Sequence, residues 1–183
     1  SIGEWTLRVD GDELIAESPR GGFGFGWFNR SGDVTLTLPK ELEGMNADLD
    51  IGAGSLEVDG AFRAVAVDLG AGDVEVRGTA TEVTADISAG DAEIDLKGVK
   101  TAELSVSAGR LVAFFGGDAP QSIDASVSAG DLELTVPDGR YDVTSTVSAG
   151  DFENSLGSDP GAANRIHVEV SAGNATLDGG ARR

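Results

Sequence analysis

The chain has 183 residues, enough for one domain, and sets 13 Lys and Arg against 32 Asp and Glu for a formal net charge of −19. Such a surface repels phosphate backbones and anionic membranes, which argues against nucleic acid as a partner and favours basic proteins and divalent cations. The lack of cysteine excludes disulfides and thiolate metal sites, a single histidine excludes a histidine-rich metal centre, and no apolar run approaches the roughly 20 residues of a membrane-spanning helix.

No signal peptide opens the chain, and Ser1-Ile2-Gly3-Glu4 lacks an initiator Met. The expectation is a domain excised from a longer protein, with any anchor or leader outside it. In chain order, Trp5–Val9 and Glu13–Ala16 flank Asp10-Gly11-Asp12 and predict a β-hairpin. Next comes Gly21-Gly22-Phe23-Gly24-Phe25-Gly26-Trp27-Phe28, four aromatics within six residues of a chain that has ten in all. Its glycines alternate with phenylalanines and no Lys follows, so it is not a phosphate loop. Two readings stand: rings that plug the first rung of the fold, or a loop that contacts a partner or a lipid headgroup region. Val34–Leu38, stopped by Pro39, predicts a strand, and Lys40–Glu43 a short turn. Residues 1–40 are therefore expected to be capping strands and an aromatic, glycine-rich loop.

From residue 41 to 179 the chain repeats. An Ala-Gly pair recurs at Ala53, Ala71, Ala89, Ala108, Ala129, Ala149 and Ala172, each followed by glycine. Alternating segments such as Val65-Ala66-Val67-Asp68-Leu69 precede the pair and others such as Asp131-Leu132-Glu133-Leu134 follow it. This is the period-2 pattern of strands with one buried face. Leu49 and Ile51 share one parity and Leu56 and Val58 the other, so one residue of phase is lost at the corner, where Gly54 permits the bend. Ala53 is expected to point inward and stack on its copies, so that a larger residue there would overpack the core. Repeats this short bury a core only by stacking. The fold class is thus all-β: a single-domain, parallel β-helix-like solenoid of about seven 18–23-residue rungs with an N-terminal hairpin cap. Length differences fall in the loops at 116–121 and 157–164. Residues 180–183 are expected to be a disordered tail. His167 is expected outward on the last rung, an edge that either another chain or the last loop must cover.

The Ser-Ala-Gly-Asp turns between short alternating strands, after Val34-Thr35-Leu36-Thr37-Leu38-Pro39, resemble the bacterial adhesin-like or toast-rack β-repeat family over roughly residues 30–180. The resemblance implies an extracytoplasmic, membrane-anchored place at the bacterial cell surface. It also implies frequent attachment to phage-shock-protein C type envelope-stress proteins, and no catalysis. The shared motif is structural, so it assigns no site residues.

Candidate functional residues come from the outward positions. Asp73, Asp91, Asp131 and Asp151 follow four of the corners and form an acidic ladder. Carboxylates about 4.8 Å apart repel by on the order of 1 kcal/mol in water. The ladder reads either as a solvated face or as a set of calcium ligands. Arg110 replaces the aspartate in the fourth copy, with Val112 and Phe114 outward beside it: a partner or dimer contact, or a patch covered by the following loop. The function expected is a non-catalytic interaction or scaffolding module of a cell-envelope protein with a role in envelope-stress sensing. Its partner is another envelope protein or a second copy, no cofactor is required, and membrane attachment is only through an anchor outside the chain. Alternatives are a surface adhesin, a structural protein that polymerises through open rungs, and a carbohydrate-active β-helix enzyme using paired carboxylates. The last lacks the basic groove that a polyanion lyase needs.

Overall fold

The computed structural model describes residues 6–10, 13–17, 33–37 and 44–180. All twelve of its elements are strands. β1 (Thr6–Asp10) and β2 (Glu13–Glu17) form the antiparallel hairpin expected, and β3 (Asp33–Thr37) is the strand before Pro39. The repeat supplies β4 (Met45–Ile51), β5 (Gly54–Thr79), β6 (Glu82–Lys97), β7 (Thr101–Val106), β8 (Arg110–Gly116), β9 (Ser122–Val136), β10 (Tyr141–Val147), β11 (Asp151–Asn154) and β12 (Asn164–Gly179). Every pairing except β1–β2 is parallel. The chain is a β-solenoid in which each rung has two limbs joined at the Ala-Gly corner.

The core runs between the limbs. Ile51, Leu69, Ile87, Val106, Val127 and Val170 form one inner row on the limb before the corner, and Leu56, Val74, Ala92, Leu111, Leu132 and Ala175 form one on the limb after it; all are buried. Each buried aliphatic side chain contributes about 1.5–3 kcal/mol, so the row holds the rungs together.

At the corner the structure corrects the sequence reading. All seven alanines of the Ala-Gly pairs are exposed, whereas the glycines are buried or half-buried except Gly150 of the outer rung. The phase slips between Ile51 and Gly54 rather than after Ala53. The glycines stack in a column so tight that a Cβ on Gly90 would lie 2.5 Å from the carbonyl oxygen of Gly72. Gly72 also sits at a φ of 127°, where side chains are strained. Close backbone approach, not alanine packing, fixes the motif.

The order of rungs is a second departure. β9 pairs with β12, and β12 pairs in turn with β10 and β11. The last strand of the chain is thus inserted between the fifth and sixth copies, and β10–β11 forms the outer rung. His167 is exposed as expected, but it lies inside the stack, with Thr144 Oγ1 3.0 Å from its Nδ1. At the other end, β2 pairs with β4 and β3 with β5, which adds a rung ahead of the first Ala-Gly corner.

Candidate interaction surface

The limb after each corner presents its outward residues in ladders across the rungs. One ladder runs Ser55, Asp73, Asp91, Arg110, Asp131, Asn174, Asp151, with Ser55 Oγ 3.4 Å from Asp73 Oδ2. Its neighbour runs Glu57, Glu75, Glu93, Val112, Glu133, Thr176, Glu153, with Arg77 bridging Glu57 at 3.1 Å and also pairing with Glu75. The outward face of these strands is polar because the inner face takes every alternate residue.

The four aspartates proposed as calcium ligands do not converge. Asp73 and Asp91 are neighbours, but Arg110 stands between Asp91 and Asp131, and the inserted strand places Asn174 between Asp131 and Asp151. Asn174 Nδ2 donates to Asp131 Oδ1 at 2.8 Å, and Arg110 pairs with Glu133 at 2.5 Å. Among the described residues no group of three or more His, Asp or Glu is arranged to hold a metal ion.

Phe114 is covered rather than exposed, as the second of its two readings expects. It takes the outward parity between Asp95 and Thr135, yet only 8% of it is exposed. Its ring edge lies over Gly116, where a Cβ would be 3.5 Å from Cε1, and the Lys97 stem approaches the same space. Val112 remains half-buried and Arg110 exposed. Phe23, Phe25, Trp27 and Phe28 lie outside the described residues, as do residues 40–43 and 181–183.

What the ladders do build is a groove of about 500 Å³ lined by Ser55, Glu57, Asp73, Glu75, Asp91, Glu93, Arg110 and Val112 together with Leu56, Val74 and Ala92 between them. Five carboxylates line it; Glu57 and Glu75 are paired with Arg77, and the Arg110 guanidinium at its end is drawn toward Glu133. Alternation had identified Asp73, Asp91, Arg110 and Val112 singly; their convergence with Glu57 follows from stacking rung on rung. A second groove lies beside Val112 and Phe114, with Glu133, Thr135, Thr176, Asp178 and Gly179 opposite.

No curated protein and no solved structure matches the chain. The Toastrack DUF4097 family matches residues 27–178, which spans the corner motif, the aromatic segment from Trp27 onward and the inserted final strand. The chain therefore belongs to the Toastrack DUF4097 family.

Proposed function

We propose that this domain is a non-catalytic interaction module of a bacterial cell-envelope protein, working outside the cytoplasm, and that its outer face binds a basic segment of a protein partner. The observation that carries the reading is the groove across adjacent rungs, in which Glu57, Asp73, Glu75, Asp91 and Glu93 face one opening. Carboxylates gathered on a rigid sheet give a fixed negative potential that steers and orients a cationic partner. The half-buried Val112 at one end offers an apolar anchor. Toastrack membership fits a β-repeat module, and the frequent attachment to envelope-stress proteins that the toast-rack resemblance implies is the ground for the location.

The test is capture by cross-linking from the producing cell's envelope, comparing the native domain with an Asp91→Lys, Glu93→Lys variant of equal thermal stability. The expected result is a partner held by the native domain, lost in the variant, and released by salt. Equal capture by both would remove the groove from the function.

A further inference from the structure

The outer rung shows a different chemistry. Among the described residues, β10 and β11 pair with β12, and on one side only. Loop 155–163 folds back over part of the open side: Ser158 Oγ accepts from the Val143 N–H and donates to the Val143 carbonyl, both at 3.0 Å, and the Asp159 N–H donates to the Tyr141 carbonyl at 2.8 Å. That cover ends at Val143. Since Val143 turns its backbone groups away from β12, alternation turns those of Ser145 and Val147 the same way. Both residues are exposed, and Val147 is 42% exposed where its ladder equivalents, Val170 and Val127, are fully buried.

We propose that this uncovered edge pairs with the same edge of a second copy, antiparallel about a two-fold axis through Thr146. The occupant follows from charge. Each copy carries −19, so two copies approach most readily where carboxylates are absent. Val143–Gly150 contains no charged side chain, and Thr144 and Thr146 stand in ladders that carry Asp48, Glu103, Asp124, Asp50, Asp68, Asp86 and Glu169 in some other rungs and the uncharged Ala66, Thr84, Ser105 and Ser126 in others. A cationic partner has no reason to prefer this strip, and a neutral edge on an acidic protein lacks the charges that commonly block strand pairing. Registering Thr146 on Thr146 sets Ser145 opposite Val147 in both directions. It satisfies the edge groups of both residues, leaves the Ser158 cap in place, and makes a Thr–Thr cross-strand pair. Because the contact is isologous, it closes at a dimer.

The chain has no cysteine, so Thr146→Cys places a single thiol at the axis. Directly opposed residues of an antiparallel pair have Cα atoms about 4.5–5.5 Å apart, within disulfide reach. Under mild oxidation Thr146→Cys is expected to give a covalent dimer, while Thr144→Cys, which meets no copy of itself, gives at most one tenth as much. Sedimentation of the unmodified protein should show a monomer–dimer equilibrium that shifts toward dimer as salt screens the like charges. Ser145→Pro, which removes an edge-facing N–H and spares the bonds to β12, should abolish the dimer with the circular dichroism unchanged. A protein monomeric at all concentrations and salts, or equal cross-linking by the two cysteine variants, would overturn the proposal. These readouts require no partner from the cell, so they stand or fall apart from the acidic groove.

Discussion

The tetrapeptide Val-Ser-Ala-Gly occurs four times, at 106–109, 127–130, 147–150 and 170–173. In three of these places the valine is fully buried between rungs; in the fourth, Val147 is 42% exposed. The four segments lie in one set of ladders, and Val147 shares its corner conformation with Val170, since Gly150 and Gly173 both take a positive φ where Gly109 and Gly130 do not. What differs is the number of neighbouring rungs. Burial in a solenoid is thus a property of position in the stack, and identical sequences can serve as core in the middle and as surface at the end.

The largest effect should come from the corner glycines inside the stack. A Cβ on Gly130 would lie 2.6 Å from Val106 Cγ1 and still closer to the Gly109 carbonyl oxygen. The rungs are held at hydrogen-bonding distance and cannot part, so Gly130→Ala is expected to cost about 4 kcal/mol or more in urea unfolding. Its neighbour Ala129 is exposed, and Ala129→Ser should stay within about 0.5 kcal/mol of the native protein. Equal costs for the two would restore the inward alanine and refute the glycine column.

The next comparison is Val127 against Val147. Val127→Ala empties a site between two rungs and should cost about 2–3 kcal/mol, from lost transfer energy and the cavity left behind. Val147→Ala should cost about 0.5 kcal/mol or less. The difference, measured as urea midpoints at constant slope, reads out the strand order directly. If β10 were an interior rung, the two costs would match.

The sequence made the strands, the corner, the hairpin and the variable loops legible, because period-2 alternation and a fixed repeat are local signals. It left the rung order unread. Each rung offers the next an equivalent aliphatic row, so alternation cannot say that β12 slides between β9 and β10. A signal was present nonetheless. Ser145 and Asn154 are polar residues at inward positions held by Val168 and Ala125, and by Leu177 and Leu134, in neighbouring rungs. Polar residues in the inner row of a single repeat mark it as the end of the stack. The long spacing from Ala149 to Ala172 gave the chain the length to return. Phe114 was left with two readings for a related reason: alternation fixes the direction of a side chain but not what lies over it.

Tyr141 offers a smaller test of the same end. It is the only tyrosine, it is buried, and its hydroxyl donates to the Pro137 carbonyl at 2.8 Å. Burial, and then the charge of Asp138, push its pKa up from 10.0 to about 12. The folded protein therefore holds the phenolic proton more tightly than the unfolded chain does. The resulting contribution to stability is fully present below pH 10.0 and is lost as the pH rises to about 12. The stability of the native protein should fall across that window relative to Tyr141→Phe. The phenylalanine variant should itself start about 1 kcal/mol lower, for want of the hydrogen bond.

The smallest effect separates the covered half of the edge from the open half within one strand. Ser158 Oγ satisfies both backbone groups of Val143, whereas Ser145 and Val147 turn theirs outward beyond the loop. Amide hydrogen exchange along β10 should therefore be slow at Val143 and fast at Ser145 and Val147 in dilute solution, with Thr144 and Thr146 protected by β12. Ser158→Ala removes the cap without touching the core, so it should cost about 1 kcal/mol and bring the Val143 amide to the rate of its open neighbours. Raising the protein concentration should then slow Ser145 and Val147 in the native domain and leave Val143 as it was. Those two amides form bonds across the two-fold, while that of Val143 already has a partner in its own chain.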